Sequence, residues 1–433
     1  MLERQAGRAA LAVLGMALLM PASWAADLDS AKPPQELWLS RAGDNLEWAG
    51  PGFDDSDWQP VPLFESWQRQ GYQGVDGVVW FRRTVTLNPA ARFAASQDRL
   101  GLLVGQPSFG GYQVYASGRL VGSSRGWGWS RRLPFRVSEV FSLPADLIGP
   151  DGRLPLAFRA RRIGWISDSD PTDSAVGDTL LLGDEQALRD HVDVTWSRVL
   201  LADLPVLLLS VLFFAVAPYH LLLFWRRRRQ IGHLWFGLLT LAFATNAFGS
   251  SYWIYQITSR YDLAVRISDA FGHFAAMLAI QFIWTFFSRS IPRWLRAYQL
   301  SQGALALFVL FSPDIRIVVA SQTLRALWLL PLLVVTVALI LREMRRGDVE
   351  ARTLAVAGLV MISFQVLELA AKPLLQRLIG DVSLPTFGFA AVLLAMSISL
   401  SGRFRRVHDE RDRLLQTLEA QVRERTLALE QAK

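Results

Sequence analysis

Three carboxylates crowd one short stretch of the chain, Asp54, Asp55 and Asp57. A pair of carboxylates is what acid–base hydrolysis of a glycoside requires. Here all three sit in the run Phe53-Asp54-Asp55-Ser56-Asp57-Trp58, directly after Pro51-Gly52. A solvated turn is the expectation, and no catalytic residue is assigned. A second cluster suits binding better. Trp127 and Trp129 flank a glycine in Ser124-Arg125-Gly126-Trp127-Gly128-Trp129, and Arg131 follows closely. Aromatic rings and guanidinium forks on a loop can hold a polar, flat-faced ligand. Arg125, Trp127, Trp129 and Arg131 are therefore the candidate ligand-binding residues, the alternative being that the rings pack on their own domain or touch a membrane surface. A third set lies in strongly apolar sequence: Asp269 and His273, four apart and so on one helix face, with Glu368 further along. Ionisable groups in such surroundings are costly unless paired. These three are the candidate polar switch, and for Asp269 the alternative is a partner near the outer interface. The chain has no cysteine, which excludes disulfides, thiol catalysis and cysteine zinc sites. No metal-ligand spacing is present, and no metal or cofactor is expected.

Composition decides what must position these residues. The chain of 433 residues is 52% hydrophobic and 19% charged, too apolar for an ordinary soluble protein. Its net charge of +7 is uneven: residues 27–198 hold 18 Arg and Lys against 22 Asp and Glu, a net of −4, so the remainder carries +11. That excess lies in short segments between apolar runs, which is membrane topology and not a nucleic-acid surface. At the N-terminus, Arg4 and Arg8 precede an apolar run from Ala9 to Met20, and Ser23-Trp24-Ala25 fits small-x-small cleavage. Residues 1–25 are expected to be a signal peptide, with an uncleaved anchor helix as the alternative.

From 27 to 190, short apolar or alternating runs recur between turn signals. Val78–Leu87, Leu100–Val104, Tyr112–Tyr115 and Leu154–Arg159 are separated by Asn88-Pro89, Ser117-Gly118 and Asp151-Gly152. This spacing predicts an all-β sandwich outside the cytoplasm. The run from Phe53 to Trp58, then Val61-Pro62, Trp67 and Gly77-Val78-Val79-Trp80-Phe81-Arg82-Arg83, resembles the sugar-binding jelly roll of family 2 glycoside hydrolases. Val114-Tyr115-Ala116-Ser117-Gly118-Arg119-Leu120-Val121-Gly122 is similar to that family's hairpin, with Ser117 where an asparagine is usual. The resemblance implies a galactose-binding-like accessory domain and a carbohydrate ligand. The catalytic carboxylates of those hydrolases belong to a separate barrel, for which residues after 195 leave no room. Trp58, Trp67 and Trp80 are expected in the core.

From 197 to 401, seven apolar stretches approach the ~20 residues that span a bilayer: Leu200–Trp225, Ile231–Ile257, Leu263–Phe287, Ala297–Phe311, Val318–Leu341, Leu354–Leu375 and Leu384–Leu400. Eleven arginines follow spans one, three and five (Arg226 to Arg229; Arg289, Arg293, Arg296; Arg342, Arg345, Arg346, Arg352), against Arg260, Arg316 and Arg377 in the opposite loops. Positive charge stays inside, so odd-numbered spans end in the cytoplasm. An exported N-terminus gives the same orientation. The last span carries no lysine, which excludes a retinal Schiff base of the microbial rhodopsin type.

Residues 402–433 place Leu415, Leu418, Val422, Arg425 and Leu429 at spacings of three and four, a heptad seam through which two copies can pair. The segment from Leu418 to Glu430 closely resembles the signalling helix that joins bacterial sensors to output domains. External sandwich, seven spans and signalling helix together resemble the bacterial seven-transmembrane receptors with diverse intracellular signalling modules. That resemblance implies a receptor in the bacterial inner membrane, its N-terminal domain periplasmic and its C-terminus cytoplasmic. It senses a small molecule or carbohydrate and relays the signal, as a homodimer, to a histidine kinase or diguanylate cyclase. No kinase box, Gly-Gly-Asp-Glu-Phe loop or nucleotide-binding glycine cluster occurs in the 433 residues, and the heptad runs to the last residue, so the output module is expected beyond it. The expected fold is thus a multidomain membrane protein: jelly roll, seven-helix bundle surrounded by lipid, and coiled coil. The competing class is a membrane-anchored carbohydrate-binding protein or transporter without signalling output.

Overall fold

The computed structural model describes residues 37–107, 110–124, 127, 138–164, 167, 173–258, 260–312, 315–347, 349–379, 384, 386–399, 414, 416, 417 and 421. The signal segment and the seam residues Leu415, Leu418, Val422 and Leu429 lie outside them. The chain forms two compact units, residues 23–282 with 290–329, and residues 1–22 with 283–289 and 330–433.

Among the described residues the first unit opens with nine strands in two sheets. β1 (Leu37–Ala42), β2 (Gln59–Pro62), β3 (Gly77–Thr86), β5 (Gly111–Ala116), β6 (Arg119–Ser123) and β8 (Arg153–Arg162) form a six-stranded sheet of order β2-β1-β3-β8-β5-β6. β4 (Leu100–Val104), β7 (Glu139–Ser142) and β9 (Leu180–Asp184) form a three-stranded sheet of order β7-β4-β9. The strand pairings among the described residues are antiparallel. Alternation along β3 explains the layering. Val79 and Phe81 point into the main core with Trp38, Trp67, Leu102, Tyr112 and Phe158. Trp80 points the other way, into a second cluster with Trp58, Tyr115 and Ala157, capped by Trp48 and Phe53. The six-stranded sheet is thus buried on both faces where β3 crosses it. Trp58, Trp67 and Trp80 are all buried.

Ser117 (φ 49°) and Gly118 (φ 81°) turn the β5–β6 hairpin. Two successive left-handed residues match the twist of the flanking strands, and the serine carries this cost in the place where asparagine is usual. The Ser117 hydroxyl donates to the Leu147 carbonyl at 2.6 Å. Asn88-Pro89, expected as a simple turn, instead starts a helix, α1 (Pro89–Ser96). Asn88 accepts from the Ala91 amide, and proline at the first helical position loses no hydrogen bond.

After β9 the chain becomes helical without a linker. α2 runs 42 residues, Glu185–Arg226, with Pro205 and Pro218 inside it. The sequence places a junction near 191–196; the structure carries helix through it. α3 (Ile231–Ser250), the short α4 (Ile254–Ile257), α5 (Tyr261–Phe286), α6 (Arg293–Phe311) and α7 (Ile315–Arg345) follow. α5, α6 and the start of α7 meet at Ala270, Val309 and Val318. In the second unit, the end of α7 is followed by α8 (Val349–Ile379) and α9 (Thr386–Ser399). Six of the expected stretches each overlap one longer helix, α2 and α5 to α9, whereas the second, Ile231–Ile257, is broken after Ser250 into α3 and α4. Among the described residues three helices are long and apolar enough to cross a membrane: Glu185–Arg226, Ile231–Ser250 and Asp262–Phe286.

Candidate functional site

Strand register defines two poles of the sheet domain. Val104 pairs with Glu139 and Leu180, so these three share one end; Leu100 and Asp184 mark the other. In the larger sheet Gly111 and Gly77 pair with Arg161 and Arg162. Residues 105–110 link Val104 to Gly111, so both sheets contribute to the same first pole. Ser123 pairs with Gln113 next to that end. The segment carrying the candidate ligand residues therefore leaves from and returns to this pole, whereas α2 departs from the opposite one.

Of those candidates Trp127 is described; Arg125, Trp129 and Arg131 lie outside the described residues. The Trp127 amide donates to the Ser124 carbonyl at 3.0 Å. The Arg159 guanidinium lies 4.7 Å from the centre of the Trp127 ring. Arg159 is held by Asp44 through a two-pronged pair, Nε to Oδ1 at 2.7 Å and Nη2 to Oδ2 at 2.6 Å, and its Nη1 donates to Gln113 at 2.8 Å. Tyr115 also donates to Gln113. The result is a fixed cation–aromatic platform on the outward face of β8 and β5. Sequence reasoning missed Arg159, Asp44 and Gln113. The alternation of β8 would have put Arg159 on the outward face, but Asp44, 115 residues away, has no local signal.

The turn carboxylates are committed elsewhere. Asp55 pairs with Arg82 at 2.7 Å and Asp57 with Arg41 at 2.8 Å. Arg82 also donates to the carbonyls of Trp48 and Gly50 and lies over Phe53. Asp54 accepts from the Ser56 amide; hydrogen bonding to Ser56 holds its carboxyl below the usual range. This is a turn built around an arginine. Within the main core, burial and then the nearby Glu139 push the Tyr112 hydroxyl well above its ordinary pKa.

The opposite pole anchors α2. Asp184 accepts from the Ala187 amide at 3.2 Å, an N-cap, and the Glu185 amide donates to the Arg99 carbonyl at 2.8 Å. Gly101 on β4 has no side chain because a Cβ there would lie 2.9 Å from the Glu185 Cα. Leu188 is buried against the same strand. The first turn of the helix is thereby fastened to the sheet.

Polar groups recur between the helices. Asp203 accepts from the Ser251 hydroxyl and the Tyr252 amide, and the Trp253 indole donates to the Leu200 carbonyl at 3.0 Å. These bonds tie α2 to the chain between α3 and α4. Asn246 donates to the Ser268 carbonyl at 2.8 Å, joining α3 to α5. His273 is buried and its Nδ1 lies 2.8 Å from Gln302 Oε1; Gln302 donates in turn to the Tyr298 hydroxyl, which donates to the Trp328 carbonyl. Since Gln302 Oε1 can only accept, His273 Nδ1 carries the hydrogen. The chain of bonds links α5, α6 and α7 three residues before Pro331. Asp269 is buried one turn from His273 on α5. Glu368 lies on α8, its side chain outside what is described. In the second unit Glu343 is buried between Arg289 at 3.0 Å and Arg346 at 3.1 Å. Among the described residues no group of three or more His, Asp or Glu could hold a metal ion.

Residues 204–403 match the family model described as 7TM diverse intracellular signalling. Over those residues, 200 of the 433, the chain is similar to that family. The 7TM diverse intracellular signalling region is the receptor part of signalling proteins and implies an output partner in the cytoplasm, and its apolar helices place the protein in a membrane. Its first matched residue lies inside α2, so one helix belongs both to the 7TM region and to the anchor on the sheet. Similar solved structures include β-glucuronidases and a family 2 glycosyl hydrolase. A calcium-binding mutant of Bacteroides uniformis β-glucuronidase 2 is 19% identical over 34% of this chain and 17% of its own, with a TM-score of 0.25. Bifidobacterium dentium β-glucuronidase complexed with coumarin-3-O-glucuronide is 21% identical over 30% of this chain and 20% of its own, with a TM-score of 0.24. A family 2 member from Bacteroides cellulosilyticus is 17% identical over 30% and 17%, with a TM-score of 0.23. The chain thus spans a fifth or less of the length of these three hydrolases. No curated protein matches it.

Proposed function

We propose that this protein is the sensing part of a transmembrane receptor. A periplasmic jelly roll binds a carbohydrate or related ligand at the pole carrying Trp127, with Arg125, Trp129 and Arg131. Seven spans in the inner membrane relay the occupancy, and a dimeric cytoplasmic helix, seamed by Leu415, Leu418, Val422 and Leu429, passes it to a histidine kinase or diguanylate cyclase. The observation that carries this reading is α2. At about 1.5 Å per residue its 42 residues measure ~63 Å, roughly twice the hydrocarbon thickness of a bilayer. A helix of that length, capped on the sheet at Asp184, transmits displacement where a flexible linker would absorb it. His273, with Asp269 and Glu368, is the polar element whose partners change between the two packings of the spans. A ligand acts only by binding one packing better than the other.

The test separates binding from relay. Four glycines inserted after Asp193 should leave ligand binding intact and abolish ligand-dependent activity of an output module fused to the stalk. Unchanged signalling through that insert would refute rigid relay through α2. Orientation is checked by alkaline phosphatase fusions, active after Asp314 and inactive after Asp348; the reverse pattern would overturn the seven-span topology.

A further inference from the structure

His220 on α2 and His233 on α3 meet beside the turn that joins the two helices. Their Nδ1 atoms are 2.9 Å apart. The ring planes differ by 23° and the centroids are 5.2 Å apart. The centroid separation exceeds the nitrogen separation by the two ring radii. The rings therefore meet nitrogen to nitrogen along a line, not face on face. Two nitrogens so placed hold one hydrogen between them: two bare lone pairs repel, and two N–H groups collide. Because the lone-pair directions oppose each other and do not converge, the pair is no chelate for a metal.

We infer that His220 and His233 form a proton-operated latch, in which one shared hydrogen ties α2 to α3 and a second protonation releases it. The proton balance is simple. The neutral pair has one N–H···N bond. One added proton, taken up at an outer Nε2, leaves that bond in place and charges the pair. A second puts an N–H on both facing nitrogens, and the bond is lost. The surroundings make the doubly charged state costly. His220 is buried, with Phe236 of α3 edge-on at 4.6 Å and Tyr219 of its own helix at 5.2 Å. α5 reaches the site through Phe282, against Phe236. The turn adds Arg227, whose charge acts on His233, within the run Arg226 to Arg229. Among the described residues no carboxylate acts on either ring. Two imidazolium ions would face one another beside the arginines of the turn, and separation of α2 from α3 is the relief. The latch sits near the far end of the helix rooted on the sheet domain, so acid and helix movement act on one contact. This inference does not depend on the receptor reading.

The test uses the full chain, labelled with ¹⁵N-histidine, in lipid nanodiscs; the chain has five histidines. Near pH 7.5, above the ordinary imidazole pKa of about 6.5, a through-bond coupling between two Nδ1 nuclei is expected. It should vanish in His220→Asn and in His233→Asn. It should also vanish at acid pH once both rings show the shifts of imidazolium. Corrected for intrinsic pH dependence, amide exchange at the α2–α3 turn should rise roughly five- to tenfold on that acidification, the change expected from loss of one hydrogen bond. His220→Phe/His233→Phe should not show this rise. Absence of the coupling at neutral pH would overturn the latch, as would its survival in the doubly protonated protein or an equal acid response in the double variant. The coupling measurement on the native chain needs no substitution and decides by itself.

Discussion

In the β-sheet domain the guanidinium of Arg82, 8% exposed, is neutralised by the carboxylate of Asp55. In the helical region His273 and Gln302, more deeply buried, are bonded through amide and hydroxyl groups. Asp55 is 28% exposed, so solvent can reach the carboxylate that faces Arg82. A stranded charge between apolar helices is costly, and several of the described partners there are neutral groups or backbone carbonyls, as where Arg266 donates to the Ser312 carbonyl. Near the end of α7, Glu343 has an arginine on each side. The comparison teaches that the sheet domain is held by aromatic packing and charged clasps, whereas the helices carry a few neutral bonds that can exchange partners at small cost.

The sharpest way to break that comparison is to remove packing from the sheet. Trp80 is fully buried and its indole N–H has no partner, so Trp80→Ala should cost about 3–5 kcal/mol by cavity formation alone. Tryptophan-fluorescence melts of the whole chain measure it. Arg82→Ala comes next. It strands Asp55 and two carbonyls and should cost about 2–4 kcal/mol, with Arg82→Lys recovering only part of it because the fork is lost. Alkali should act on the sheet domain through Tyr112. Burial raises its folded pKa above the unfolded value of about 10. The unfolded chain therefore releases that proton first, and the contribution is whole below pH ~10 and lost as the pH rises above it. Tyr112→Phe should flatten the alkaline limb of the stability profile. In the helices Gln302→Leu should cost only about 1–2 kcal/mol while altering the ring ¹⁵N shifts of His273. A loss as large as that of Trp80→Ala would erase the contrast. Smallest is Asp57→Ala: its pair with Arg41 is exposed on both sides, and the change should stay below about 1 kcal/mol.

Legibility followed locality. β4 was readable to the residue as Leu100–Val104 because five successive apolar residues between turn signals leave no other reading. β1 and β9 were not singled out, since Leu37–Ala42 and Leu180–Asp184 lack clean alternation and are defined by the strands they pair with. Trp127 was identified as an exposed-loop aromatic, yet the cation over its ring comes from Arg159, and the carboxylate locking that arginine is Asp44. His273 stood out as an ionisable group in apolar sequence. Its partner Gln302 did not, because an amide in a hydrophobic run registers only as a weak interruption. His220 and His233 are thirteen residues apart, and only the packing of α2 on α3 brings their Nδ1 atoms within 2.9 Å.

What the sequence by itself determined is set by local and one-dimensional physics. Apolar length decides which segments can enter a bilayer, arginine placement decides their expected orientation, and period-two alternation decides which strand face is buried. The tertiary structure alone decided which distant residues meet: Asp44 with Arg159, Asp55 with Arg82, His273 with Gln302, His220 with His233. It also decided that the sheet and the first long apolar helix join without a break, since helix through residues 191–196 depends on the cap at Asp184 and the docking of Leu188 on β4, not on the composition of those six residues. Pairing across many residues is a property of register and packing, and register is fixed only when a strand or helix finds its neighbours.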